Sequence, residues 1–126
     1  MKTPVARLFG RAALALALAA SWPAHGSEKN FPTRPVKVIV PFAAGTSPDV
    51  VIRIVGQKLG DIWGQPVIVE NRPGAGGAIG ATAVAQAQPD GYTLLYTVNS
   101  VLCANPHLYG KLGYDAFKSF APVSLM

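Results

Sequence analysis

The chain has 126 residues, half of them apolar and 13% charged, a globular composition with room for one small domain. Its formal charge of +5 points toward nucleic acid only until it is divided along the sequence. Lys2, Arg7 and Arg11 all precede the first apolar run, and behind them eight basic residues face six acidic ones, which leaves a basic footprint for nucleic acid with little support.

Residues 1–26 read as an export signal. Lys2, Arg7 and Arg11 form a charged start, and Ala12 to Ala20 (AALALALAA) is an apolar stretch too short to span a bilayer comfortably. Ser21, Trp22 and Pro23 break it, and Ala24-His25-Gly26 puts small residues at the −3 and −1 positions of a cleavage site before Ser27. An uncleaved anchor is the alternative; a lipoprotein signal would need a cysteine at the cut, where none stands. The mature protein is therefore expected outside the cytoplasm, and His25 leaves with the signal.

Past a polar lead-in with Pro32 and Pro35, Val36 to Val40 (VKVIV) is a β-branched run of the kind that lies inside a sheet covered on both faces. From Val51 the apolar residues fall at Ile54, Val55, Leu59 and Ile62, which is helical spacing. Ser47 is placed to be the N-cap of that helix, Pro48 its first residue and Asp49 the complement of its dipole, with Gly60 and Gly64 marking the end. The pattern then repeats. Pro66 to Glu70 (PVIVE) reads as a second strand, Asn71 to Gly77 (NRPGAGG) as a glycine-rich turn, Ala78 to Gln88 as a second helix and Tyr92 to Val98 (YTLLYTV) as a third strand. This alternation implies an α/β fold of βαβ units with a parallel sheet, in which ligands sit beyond the carboxyl ends of the strands.

All three strand exits carry small or polar residues: Ala43, Ala44, Gly45, Thr46 and Ser47 at the first, Asn71 to Gly77 at the second, Asn99 and Ser100 at the third. At the first exit, helix N-terminal amides lack intrahelical partners and can donate to a carboxylate or phosphate, while Thr46 and Ser47 add hydroxyls. The same residues would also suit a tight βα turn with a good cap and no ligand at all. The second exit, Gly74-Ala75-Gly76-Gly77-Ala78-Ile79-Gly80, is weakly similar to a dinucleotide fingerprint, but no ribose-binding acid follows the next strand and no Gly-Lys-Ser/Thr marks a P-loop. No cofactor is expected. Arg72 is open to a ligand contact, a salt bridge to Glu70 or solvent.

Catalytic sets are thin. Ser47 and Ser100 have no histidine placed to activate them, and Gly45-Thr46-Ser47-Pro48-Asp49 is not a nucleophile elbow. Cys103 among Val101, Leu102 and Ala104 reads as a buried small hydrophobe, and Asn105-Pro106 is expected to break any helix that would bring it to His107. One cysteine and one mature histidine make no metal set.

The succession PTRPVKVIVPFAAGTSPDVVIRIVGQKL, GQPVIVENRPGAGGAIGA, PDGYTLLYT and NPHLYGKLGYDAFKSFAPVSLM resembles the tripartite tricarboxylate transporter substrate-binding family, the Bug-type solute receptors. The resemblance implies a periplasmic, non-enzymatic receptor whose two lobes, of a type II-like periplasmic-binding-protein fold, close on a small organic acid or amino-acid-like solute. It implies membrane permease subunits as partners and a monomer when full length. Carried onto this chain, solute contacts fall at Phe42, Ala43, Ala44, Gly45, Thr46 and Ser47, at Pro73, Gly74, Ala75, Gly76 and Gly77, and at Asn99 and Ser100. Asp49 holds the helix start or, alternatively, meets a ligand amino group.

Thr46 stands where the family pattern usually has a second glycine, which implies a stiffer loop or a hydroxyl in place of open backbone, and Val101-Leu102 replaces a common Thr-His pair, which implies a lost polar contact or a less polar solute. Family members are considerably longer, so residues 27–126 are expected to be an incomplete N-terminal lobe with the second lobe missing. Such a lobe is expected to be poorly stable and to bind weakly. A periplasmic ligand sensor for a signalling system is the alternative function, with an exported α/β hydrolase fragment behind it.

Overall fold

The computed structural model describes residues 31–126, and the signal segment expected over residues 1–26 lies outside them. Strand β1 (Val36–Val40) is the centre of a three-stranded parallel sheet, flanked by β2 (Val67–Asn71) and β3 (Thr93–Leu95) in the order β2-β1-β3. Its central position is why its sequence is apolar almost throughout: Val36, Val38, Ile39 and Val40 are all buried. Helix α1 (Ser47–Trp63) covers one face, where Ile52 packs on Val38 and Val40. Truncating Ile52 to alanine would cost about 2–5 kcal/mol, a large part of the stability of so small a core. Helix α2 (Ala78–Ala85) belongs to a second apolar cluster in which Ala81, Val101 and Tyr114 are buried and Leu95 packs against them.

The boundaries of α1 differ from the sequence expectation in an instructive way. Thr46, not Ser47, is the N-cap: it is extended (φ −76°, ψ 159°) and its carbonyl accepts from Val50 N–H at 3.0 Å. No side chain caps the helix; the Thr46 hydroxyl instead donates to Ala43 O at 2.7 Å. At the other end Gly64 adopts the left-handed conformation that a C-cap requires, with its N–H on Gly60 O at 2.9 Å. Gly60 stays inside the helix.

Strand β3 holds three residues where seven were expected. The cause lies across the ladder. Tyr96 N–H still reaches Ile39 O at 3.0 Å, but the next donor on β1 would be residue 41, a proline without an N–H, so the pairing stops. Helix α2 is likewise shorter than expected. It ends at Ala85, and Ala87 N–H turns back to Val84 O in a tight last turn.

Asn105-Pro106 does not break the chain out of helix. Residues Ser100–Ala104 form a π turn that runs into α3 (Asn105–Leu108). Asn105 N–H bonds to Ser100 O, five residues back, and Pro106 has no N–H to give. The carbonyl of Val101 is thereby orphaned, and the buried Tyr114 hydroxyl donates to it. Cys103 is exposed on this segment rather than packed in the core. The helical turn shows Val101 inward, and the thiol falls on the outer side.

Candidate functional site

The loops after β1 and β2 lie side by side at the carboxyl end of the sheet. Ala43, Ala44, Gly45 and Ser47 are exposed, and Phe42 and Thr46 are half-buried. Gly45 has φ +82° and nothing within 4 Å of the place a Cβ would take, so the loop needs glycine for its backbone and leaves open space beside it. Two of the expected donors are spent internally. Gly45 N–H donates to Asp49 Oδ2 at 2.8 Å, and the Thr46 proton goes to Ala43 O. The N–H groups of Ser47 and Asp49 stand in the first turn of α1, where a helix supplies no acceptor, and the Ser47 hydroxyl is exposed beside them.

Asp49 is 3% exposed. Besides Gly45 N–H it accepts from Arg53 Nε and from Asn71 Nδ2, both at 2.9 Å on Oδ1. Arg53, Gly45 and Asn71 together hold its carboxyl at about 2, well below the usual aspartate value. Asn71, the last residue of β2, also donates to Phe42 O at 3.1 Å and accepts from Arg53 Nη2 at 2.9 Å. The two loops are thus joined by polar side chains as well as by the sheet. Sequence reasoning assigned Asp49 only to the helix start or the solute and gave Arg53 and Asn71 no role. The i,i+4 spacing of Asp49 and Arg53 was the available signal; nothing in the sequence pointed from either to Asn71.

The second loop is built differently. Pro73, Gly74, Ala75 and Gly76 are exposed, and a short 3₁₀ turn (Ala75–Gly77) leads into α2. A Cβ on Gly74 would lie 2.6 Å from Ile79 Cδ1 and one on Gly77 2.7 Å from Val101 Cγ2. One on Gly80 would lie 2.8 Å from Pro41 Cβ and 2.9 Å from Arg72 O. Close packing of the turn against β1 and the π turn accounts for these glycines without a dinucleotide. The buried Asn105 donates to Gly76 O at 3.0 Å and braces the tip. Sequence reasoning missed that brace as well. Arg72 is committed to Glu70, with Nε to Oε1 at 2.6 Å, and Glu70 also pairs with Lys37. Arg72 and then Lys37 hold the Glu70 carboxyl below its ordinary value.

At the third exit Asn99 and Ser100 are both exposed at the start of the helical segment, one residue from the Val101 that packs under Gly77. The Thr97 hydroxyl is buried without a hydrogen-bond partner among the described residues. Among those residues no group of three or more His, Cys, Asp or Glu side chains is placed to hold a metal, and no helix is long and apolar enough to cross a membrane. A groove between α1 and the edge strand β2, lined by Gly56, Gln57, Gly60 and Val67, reaches this site at Arg53 and is an open trough on the sheet's flank.

The chain resembles known proteins over most of its length. A UPF0065 protein of Bordetella bronchiseptica is 49% identical over 107 residues, covering 85% of this chain and 32% of the relative. The solved periplasmic binding protein BugD is 44% identical with a TM-score of 0.67, over 73% of this chain and 30% of BugD. MatC from Rhodopseudomonas palustris, solved with bound malate, is 44% identical with a TM-score of 0.68, over 74% of this chain and 32% of MatC. The chain therefore spans about a third of the length of the relatives it matches. A family model described as the tripartite tricarboxylate transporter family receptor matches residues 51–126, more than half of the chain, and with the parallel sheet and its paired loops this places the protein in that receptor family.

Proposed function

We propose that the protein is a periplasmic receptor that captures a small carboxylate-bearing solute for a tripartite tricarboxylate-type transporter, and that the loops 42–47 and 73–77 with Asn99 and Ser100 form this lobe's share of the solute site. The observation that carries the reading is the pair of small-residue loops at the carboxyl end of a parallel sheet, exposed apart from the buried Gly77 and the half-buried Phe42 and Thr46, one of them opening a helix whose first amides have no intrahelical acceptor. The malate in MatC supports a carboxylate as the solute class. Membrane permease subunits are the partners that follow from transport, and the role is binding rather than catalysis.

The arrangement also indicates how the solute's charge is met. Arg53 and Arg72, which flank the two loops, are engaged by Asp49 and Glu70, and Lys37 also pairs with Glu70. On this lobe a carboxylate therefore meets neutral donors: backbone N–H groups, the Ser47 hydroxyl and the polar side chains of the third exit. Neutral donors fixed by the fold hold an anion without requiring a desolvated counter-charge.

A thermal-shift screen of the full-length receptor tests this, beginning with malate and extending to other dicarboxylates. A solute at 100 times its dissociation constant stabilises the native state by about 2.7 kcal/mol, a readable shift. Replacing Gly45 with valine fills the open space beside the loop and is expected to abolish the shift. An unchanged shift in that variant would contradict the assignment of the first loop.

A further inference from the structure

We infer that Asp49, Arg53 and Asn71 form a three-residue tie that sets the spacing of the two solute loops, so that Asp49 positions the site without touching the solute. The geometry is a closed ring: Arg53 Nε to Asp49 Oδ1 at 2.9 Å, Asn71 Nδ2 to the same oxygen at 2.9 Å, and Arg53 Nη2 to Asn71 Oδ1 at 2.9 Å. Two further bonds fasten the ring to the first loop, Gly45 N–H to Asp49 Oδ2 at 2.8 Å and Asn71 Nδ2 to Phe42 O at 3.1 Å. Asn71 is itself the end of β2, and the next residue, Arg72, donates its N–H to Val40 O at 2.8 Å. One ring therefore grips the backbone of loop 42–47 at two points and is rooted in the residue from which loop 73–77 departs.

The chemistry suits positioning better than recognition. Both Asp49 oxygens already accept from internal donors, and the residue is 3% exposed, so a solute amino group has little open surface through which to reach it. The planar guanidinium of Arg53 bridges two acceptors at once, which a lysine's point charge would not reproduce. The side-chain amide of Asn71 uses its oxygen toward Arg53 and its NH₂ toward Asp49 and Phe42, so each of its polar atoms has a partner. Pulling either loop away from the other breaks bonds to a charged group.

The link from this tie to solute capture rests on the proposed function, whereas the tie itself can be tested with no solute present. The test is residue-resolved amide exchange on the full-length receptor. In Asn71→Ala, a change on the second strand, exchange at Gly45 on the first loop is expected to rise about tenfold or more, in line with losing bonds to a charged group. Asp49→Ala should raise it as well, and the double variant should raise it no further than Asp49→Ala alone, because both changes open the same ring. Unchanged exchange at Gly45 in Asn71→Ala, or fully additive effects, would overturn the tie. If Asn71→Ala exposes β1 too and so unfolds the lobe, Arg53→Lys decides: faster exchange over 42–47 with β1 still protected supports the tie, and wild-type exchange there overturns it. A solute arm, malate calorimetry of Arg53→Lys, separates the two claims. Weakened malate binding with a loosened loop supports both, and a loosened loop with unchanged malate binding keeps the tie but removes its role in capture.

Discussion

The two loops proposed to hold the solute are both rich in small residues, yet they are small for different reasons. In loop 42–47, Gly45 has empty space around it and its positive φ is the only local demand for glycine. In loop 73–77 and the helix that follows, Gly74, Gly77 and Gly80 sit where any Cβ would strike Ile79, Val101 or Pro41. The first loop leaves room for a guest, and the second packs the sheet's carboxyl end tightly enough to hold its own shape. Composition alone does not separate these roles, because open backbone and close packing select the same residue.

The comparison breaks most visibly at Gly77. Gly77→Ala combines a left-handed backbone with a clash against Val101, and chemical denaturation should show a loss on the order of 3 kcal/mol. Tyr114→Phe comes next, because it deprives the buried Val101 carbonyl of the donor that Pro106 does not provide; a loss of about 1–3 kcal/mol is expected in the same assay. Gly45→Ala meets no neighbour and should cost only the backbone strain, about 1–2 kcal/mol, so a loss as large as that of Gly77→Ala would erase the distinction between the loops.

The remaining test is the pH dependence carried by Asp49. Its folded-state value of about 2 lies below the ordinary 3.8, so its contribution to stability is complete above about pH 4 and is lost as pH falls through 2. Asp49→Asn should flatten the stability profile over that window relative to the wild type. An identical acid profile in the two proteins would show that the carboxylate is not held by Arg53, Gly45 and Asn71.

The βαβ order was legible because it depends on local pattern: a β-branched run at Val36 to Val40, helical spacing from Val51, and glycine and proline between them. Gly64 as a helix terminator was legible for the same reason. The short third strand was not, since its length is set by Pro41, just past the end of β1. The continuous helix through Asn105-Pro106 was hidden because its rescue comes from Tyr114, eight residues beyond the proline and brought there only by the tertiary fold. The two small-residue loops could be found from composition and their place after the strands. The Asp49–Asn71 contact spans 22 residues and has no sequence signature.

The most direct test of solute capture by these loops is a crystal structure of the full-length receptor with the solute that gives the strongest thermal shift. A solute carboxylate with oxygens about 3 Å from the N–H groups that open α1, and flanked by the glycine turn after β2, is the expected result. A solute held in the closed receptor by other elements, with loops 42–47 and 73–77 both out of contact, would contradict it.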